Sequence, residues 1–246
     1  MEFDIEKILN ELVKERPVFH NESDFQFCLA LKIKETYGYE VRLEKFLRTE
    51  HEVVGKKKQT VRKYIDIIVA DEPSEKYIAI ELKYKTKGVQ FNSFREEYDL
   101  QDQGAQDYGC YAVLADVERI ESLRRIDKFY RGFHFEKGYS IIISNDRYYE
   151  KENVKNIFRK FWLTNGKTIK QGKLDFVIPQ GKTQAQTCAK GFKPICLEDD
   201  YKIEWKQYSN IAYDESDLPT HSSSKKAFLE LRSFRYAILT INKKDL

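Results

Sequence analysis

The stretch VRKYIDIIVADEPSEKYIAIELKYK, residues 61–85, decides the fold. Two runs within it, IDIIVA (65–70) and YIAIEL (77–82), are short, rich in β-branched residues and apolar on both faces, and turn-forming residues at 71–74 separate them. Strands that are apolar on both faces belong at the centre of a sheet that is covered on two sides. The stretch therefore predicts two central strands joined by a tight turn.

Helix and strand patterns alternate on either side of this stretch. The helices are predicted at 4–13, 21–38 and 100–130, and two further strands at 40–47 and 138–144. Asn21 or Ser23 caps the second helix, whose segment 25–31 is so apolar that we expect burial on most sides. A break is expected near Gly109. The order α-β-β-β-α-β predicts an α/β fold with a mixed central sheet flanked by helices.

The patterns weaken beyond Asn145. We predict an aromatic-faced helix at 151–163 and a strand at 172–179, followed by a loop at 179–191. An exposed linker is predicted at 214–226, and a final strand at 234–242 that returns to the sheet. We therefore expect a core at 1–145 and a C-terminal elaboration at 146–246 that packs on it.

The bulk composition excludes several classes of protein. The 246 residues carry a net charge of only +3, so any basic surface has to come from local clustering. No uncharged apolar run is long enough to cross a bilayer, and the acidic N-terminus is unlike a signal peptide. The four cysteines form no CxxC pair, and the four histidines form no metal-binding spacing. We expect a reduced, cytoplasmic protein without zinc.

Two carboxylates stand in the central strands: Asp66 within the first, and Glu81 at the end of the second, followed by Lys83. An ionised carboxylate in an apolar strand is costly unless a partner or a metal compensates it. Glu81 and Lys83 are two residues apart and point to one face, where Asp66 can join them. Carboxylate oxygens suit Mg²⁺ (or Mn²⁺), and a metal beside a lysine supplies the chemistry of phosphodiester hydrolysis.

Asp66, a gap of fourteen residues and then Glu81-Leu82-Lys83 resembles the signature of the PD-(D/E)XK nuclease superfamily. The predicted order over 22–144 is similar to that family's restriction-endonuclease-like core, and several segments look like a bacterial group within it. Ile65 stands where the family pattern has proline. The resemblance implies a Mg²⁺-dependent endodeoxyribonuclease that acts in phage defence, restriction or DNA repair.

The resemblance also implies further site residues. Glu22, at the start of the matching helix, would join the metal shell, with the Leu82 carbonyl as another ligand. Gln103 would assist catalysis, with Asp107 and Tyr111 on the same helix face. The alternatives are that Glu22 only interacts with the helix dipole and that Gln103 and Asp107 form an exposed face. For Arg119 we expect an intrahelical salt bridge rather than a phosphate clamp.

A basic set near these residues suits a phosphate backbone. It consists of Lys56, Lys57, Lys58, Arg62, Lys85 and Lys87. An ordinary edge strand guarded by lysines explains the first three equally well. The expected partner is nucleic acid, DNA by the resemblance, with no membrane, and the region after 145 would supply substrate contacts or an oligomer interface such as that of a homodimer.

The sequence also carries competing interpretations. Asp175 followed by Asp200 and Lys202, with Glu204 and Lys206 repeating the last element, matches the same bare pattern of residues, but the carboxylates at 198–204 lie in a polar run where solvation explains the charges. A nuclease fold that serves as a nucleic-acid- or protein-binding module, inactive without a partner, is the alternative function. A purely structural protein is a third hypothesis.

Overall fold

The computed structural model describes residues 1–54, 57–93, 95–126, 129–153, 156–213 and 222–244, without the side chains of 49–54, 57–59, 222 and 223. Within these residues the chain forms helices α1 Ile5–Glu15, α2 Glu22–Tyr37, α3 Gln106–Leu123 and α4 Ser222–Leu231. The strands are β1 Glu40–Val54, β2 Lys57–Asp71, β3 Lys76–Lys85, β4 Val89–Ser93, β5 Glu96–Leu100, β6 His134–Ser144, β7 Thr168–Ile169, β8 Gly172–Leu174, β9 Ile195–Leu197, β10 Tyr201–Lys202, β11 Lys206–Asn210 and β12 Ser233–Asn242.

A six-stranded mixed sheet forms the centre of the fold, in the order β1-β2-β3-β6-β12-β11. Neighbouring strands are antiparallel except for β3 and β6, which pair in parallel. The final strand β12 returns to the sheet, as predicted, and it lies between β6 and β11. The short hairpin β4–β5, which follows β3, was not predicted. The protein is thus a mixed α/β fold in which β3 lies inside the sheet.

Two apolar cores cover the sheet, which explains why β2 and β3 are apolar on both faces. Ile67, Ile80 and Leu82 pack with α1 and α2 on one side. Ile68 and Ala79 pack with α3 and the C-terminal region on the other. Because successive strand residues alternate between the two faces, the sequence of β3 fixes which side chains meet α3.

The C-terminal region packs on the outer side of α3 through aromatic rings and a buried carboxylate. Phe158 lies within ring-contact distance of Tyr111, with 6.0 Å between centroids. Glu121, which is 1% exposed, accepts hydrogen bonds from the Tyr201 hydroxyl at 2.6 Å and from the Glu198 amide at 2.9 Å. Residues before and after 145 therefore share one core.

The first two helices follow their predicted boundaries closely. Asp4 caps α1, and Asn21 rather than Ser23 caps α2 by accepting a hydrogen bond from the Asp24 amide at 2.9 Å. The prediction that α2 is buried on most sides was wrong. Phe27 is 60% exposed and Leu31 46% exposed, because only one face of α2 contacts the sheet.

The third helix is shorter than predicted and is not broken at Gly109. It begins at Gln106, so Gln103 lies in the preceding loop. A Cβ at position 109 would lie 2.3 Å from the Tyr149 hydroxyl. Glycine is needed there for the close approach of Tyr149, and the helix tolerates it.

Three predictions beyond residue 145 were wrong. In place of a helix at 151–163, the described residues of this segment form one short 3₁₀ turn at Arg159–Phe161, where Phe161 packs against Tyr111 of α3; another such turn, Arg147–Glu150, precedes the segment. The strand predicted at 172–179 is only Gly172–Leu174. Part of the predicted linker, 222–226, belongs to α4, and the rest, 214–221, lies outside the described residues.

None of the helices in the described part of the chain combines the length and the apolar composition required to cross a bilayer.

Candidate functional site

The backbone pairing of β2 with β3 ends at Ile67 and Ile80. Beyond this point two carboxylates replace the missing strand neighbour along the edge of β3. Asp66 accepts a hydrogen bond from the Leu82 amide at 2.7 Å, and Glu22, at the first position of α2, accepts one from the Tyr84 amide at 2.9 Å. The separation of the strands thus brings the carboxylates of Asp66 and Glu22 to one edge of β3.

Glu81 and Lys83 lie on the face of β3 that meets α3, as their spacing predicts. The Glu81 side chain is 1% exposed and that of Lys83 is 16% exposed. Lys83 Nζ donates to the Leu82 carbonyl at 2.8 Å. The structure therefore brings together Asp66, Glu81, Lys83 and the Leu82 carbonyl, all of which were predicted site residues.

Helix α3 adds two residues to the site, Asp116 and Arg119. Lys83 Nζ lies 2.8 Å from Asp116 Oδ2, and Arg119 binds Glu81 Oε1 at 2.6 Å and Asp116 Oδ1 at 3.1 Å. The intrahelical salt bridge expected of Arg119 is confirmed, but its bond to Glu81 was not predicted. A signal for Asp116 was present, because it occupies the apolar stripe of α3 between Val113 and Ile120.

Burial and mutual repulsion both disfavour the charged form of the carboxylates. Burial raises the pKa of Asp66 to about 6, against the opposing effects of Lys83 and the Leu82 amide. Burial also holds the pKa of Glu81 well above its usual range, and the neighbouring Asp116 adds to this more than Arg119 removes. Such carboxyls gain from any cation that reaches them.

The two cations respond in the opposite direction. Burial alone would lower the pKa of Lys83, but the carboxylates of Asp116, Glu22 and Asp66 outweigh it and raise that pKa. Burial would also lower the pKa of Arg119, but the carboxylates of Glu81 and Asp116 outweigh burial and raise it. Both side chains hold their protons, and the site is a compact network of alternating charges.

Hard oxygen donors of the kind that Mg²⁺ prefers are present at this site, and Glu81 Oε2 is a buried oxygen without a hydrogen-bond partner. The donor chemistry therefore fits a divalent cation. Among the described residues, however, no three His, Cys, Asp or Glu side chains are arranged to hold an ion. Lys83 and Arg119 occupy the carboxylates instead.

No family model, curated protein or solved structure matches this chain. The functional inference therefore depends on the residues and geometry of the site itself.

The remaining residues predicted on the helix face lie elsewhere. Gln103 precedes α3, and its backbone N–H donates to the Thr86 carbonyl at 2.8 Å. Asp107 accepts from Asn156 at 3.2 Å, and the Tyr111 hydroxyl donates to the Lys193 carbonyl at 2.8 Å. The prediction that these three share one face of a helix beside the carboxylates was wrong. Asp107 and Tyr111 hold the C-terminal region, because α3 turns that side away from β3.

Half of the predicted basic set has described side chains. Lys56 lies outside the described residues, and so do the side chains of Lys57 and Lys58. Arg62 is exposed on β2, and Lys85 is half-buried on β3. The Lys87 amine lies 5.5 Å from the centre of the Tyr148 ring.

A different group of basic residues surrounds a cleft of about 700 Å³ near the carboxylates. We call this cleft the basic cleft. It lies between α3, the β1–β2 pair and residues 190–198 of the C-terminal region. Its cationic side chains are Arg48, Lys63, Arg119, Arg125, Lys190 and Lys193. Arg119 connects the cleft with the buried carboxylates, because it lines the cleft and also binds Glu81.

Proposed function

We propose that this chain is a metal-dependent nuclease that hydrolyses phosphodiester bonds of DNA, with a restriction-endonuclease-like core. One observation carries the proposal: carboxylates from β2, β3 and α3 converge beside a buried lysine, and Arg119, which binds two of them, also lines a basic cleft. A hard cation satisfies such carboxylates, and the cleft supplies positive charge for a phosphate backbone.

The proposed core consists of α2, the antiparallel strands β1, β2 and β3, helix α3 and the parallel neighbour β6. This order supports a restriction-endonuclease-like assignment, since it is the α-β-β-β-α-β order that the resemblance implies once the hairpin β4–β5 is treated as an insertion. The crossover from β3 through α3 to β6 places Asp116 and Arg119 against Glu81.

Asp66, Glu81 and the Leu82 carbonyl would hold the metal, with Glu22 as a further ligand; Asp116 would position Lys83 and Arg119, to which it is bound. A bound divalent cation would polarise the phosphodiester and supply hydroxide at neutral pH. Lys83 stays protonated because its pKa is raised, so it would stabilise charge on the phosphate rather than remove a proton from water. Arg119 would have to leave Glu81 before the cation binds.

The test compares two carboxylate substitutions on supercoiled, linear and single-stranded DNA and on RNA, with Mg²⁺, with Mn²⁺ and with EDTA. We expect Glu81→Gln to reduce metal-dependent cleavage by at least about 100-fold, since it removes a ligand for the cation. Asp200→Asn, in the exposed second match, serves as the matched control and should leave cleavage unchanged. Equal activity of wild type and Glu81→Gln on every substrate would refute the proposal.

A second candidate is a binding module that lacks cleavage on its own. It is favoured by the ion pairs of Arg119 and Lys83, which neutralise the carboxylates without a metal. Thermal melting separates the two candidates. A nuclease site should be stabilised by Mn²⁺ in wild type and not in Glu81→Gln, whereas a binding module of this kind predicts no difference between the two proteins.

A further inference from the structure

The basic cleft concentrates positive charge that the whole chain does not have. Six cationic side chains line it, against two carboxylates among its described lining residues, while the chain carries a net charge of +3. Glu118 accepts from the Cys196 amide at 2.7 Å, and Glu198 pairs with Arg124 at 3.4 Å and with Arg125, so one of the six cations is paired within the cleft and cations still outnumber carboxylates. The cleft is therefore a local site for a polyanion.

The size of the cleft restricts the kind of polyanion. Its volume of about 700 Å³ lies within the range of roughly 300–1,000 Å³ that encloses a drug-sized ligand. One or two nucleotides fill about such a space, so the cleft matches a short unpaired segment of a strand.

Aromatic side chains lie among the cations. Tyr111 and Phe192 both line the cleft and are partly exposed there, and their ring centroids are 4.9 Å apart in an edge-on arrangement. The rings are held in place by Phe158 and Phe176 beneath them. Aromatic faces interleaved with basic residues are typical of surfaces that stack the bases of single strands.

We infer that the basic cleft binds a single-stranded segment of nucleic acid, with Lys190 and Lys193 on phosphates and Phe192 against a base. This inference rests on the proposed function, because it names the substrate class of the same site. Arg119 joins the two parts, since it lines the cleft and also binds Glu81 and Asp116. A phosphate drawn into the cleft competes with these carboxylates for the Arg119 guanidinium.

The experiment measures binding in EDTA, where cleavage cannot occur. The full chain is titrated into a fluorescein-labelled DNA strand, the RNA strand of the same sequence and the blunt DNA duplex, and fluorescence anisotropy is recorded at several salt concentrations. The test variant is Lys190→Glu/Lys193→Glu, at two exposed positions. The matched control is Lys170→Glu/Lys173→Glu, which changes the net charge equally at two lysines that are 73% and 59% exposed outside the cleft.

Wild type should bind the single strands more tightly than the duplex. The test variant should lose at least about tenfold in affinity for single strands, and its slope of log affinity against log salt should be shallower by roughly 1.4 for two lost phosphate contacts. The control variant should bind like wild type. A Phe192→Leu variant should weaken single-strand binding without changing the salt slope, since it removes a stacking face and no charge.

Equal or tighter binding of the duplex, or equal losses in both charge variants, would overturn the inference. The relative affinity for the DNA and RNA strands identifies the sugar that is preferred. Single-strand binding in EDTA by a protein that cleaves nothing would refute the proposed nuclease and leave this inference standing. Cleavage of duplex without single-strand binding would refute this inference and leave the proposed nuclease standing.

Discussion

The chain contains two matches to the same bare pattern of two carboxylates and a lysine, and they differ in burial. In the first, Glu81 is 1% exposed and Lys83 is 16% exposed. In the second, Asp200 is 43% exposed and Lys202 is 65% exposed. The charges of the second match pair with lysines at the surface, such as Lys170 with Asp200 at 2.7 Å.

The pKa values move in opposite directions at the two places. Burial raises the pKa of Asp66 to about 6, whereas the hydrogen bond from Lys170 lowers the pKa of Asp200. The charge of Asp66 is only partly compensated by its neighbours, whereas Asp200 pairs with Lys170 and is open to solvent. The bare pattern of residue types recurs by chance in a chain with 34% charged residues, and burial is what distinguishes a candidate site from a solvated surface.

The largest expected difference between the two matches comes from removing a cation. Arg119→Met leaves the Glu81 carboxylate buried without its ion-pair partner, so we expect the free energy of unfolding at neutral pH to fall by about 3–5 kcal/mol. Urea unfolding followed by circular dichroism measures this loss. Adding Glu81→Gln to Arg119→Met should restore part of it, because the uncompensated charge is then gone.

The matched control is Lys202→Met, which removes a cation from the exposed pair with Glu204. Its urea midpoint should stay at the wild-type value. If the two substitutions destabilised the protein equally, the contrast between buried and solvated charge would not hold.

A smaller effect, whose size depends on pH, is expected from Asp66→Asn. Since the pKa of Asp66 is about 6 in the folded protein and near 3.8 when unfolded, the folded state binds the extra proton between these values. Stability of the wild type therefore falls as pH rises from about 4 to about 6 and is level above. The asparagine oxygen can still accept from the Leu82 amide, so the variant should be more stable than wild type by about 1–3 kcal/mol at pH 7 and equal to it near pH 4.

Asp200→Asn should show the opposite sign. Its carboxyl has a lowered pKa, so the ion pair with Lys170 contributes above the ordinary pKa and is lost as pH falls through the lowered value. The substitution should therefore slightly destabilise the protein at neutral pH and have no effect in strong acid. Unfolding curves of both variants from pH 3 to pH 8 check the two signs together, and parallel curves would contradict the assignment of Asp66 as a buried carboxyl.

Local patterns in the sequence were sufficient for the central strands and for three of the site residues. The apolar run around Asp66 and the run that ends in Glu81 and Lys83 determine burial by themselves, because strands of that composition need cover on both faces. The same logic applies to Asp116, whose position within the apolar stripe of α3 marks it as buried. A charged residue at a core position was a usable signal at both places.

The rest depends on contacts between distant parts of the chain. Lys63 and Lys190 line one cleft although more than a hundred residues separate them, and only the packing of the C-terminal region on α3 brings them together. Gln103 lies outside the predicted helix for a similar reason, since its backbone N–H donates a hydrogen bond to the carbonyl of Thr86, just after β3. The segment 151–163 has the aromatic content of a helix face, but its rings insert into the α3 core from 3₁₀ turns.

The smallest expected effect concerns the second match as a whole. Replacing Asp175, Asp200 and Glu204 together by their amides removes three carboxylates whose lysine partners are all more than half exposed. Because exposed pairs gain little from each other in water, the urea midpoint should remain close to that of wild type, and any difference should vanish at 1 M NaCl, where the Debye length is about 3 Å. Metal-dependent cleavage should also be retained. A triple variant that unfolded early, or that lost cleavage, would show that these exposed carboxylates contribute more than their solvation allows.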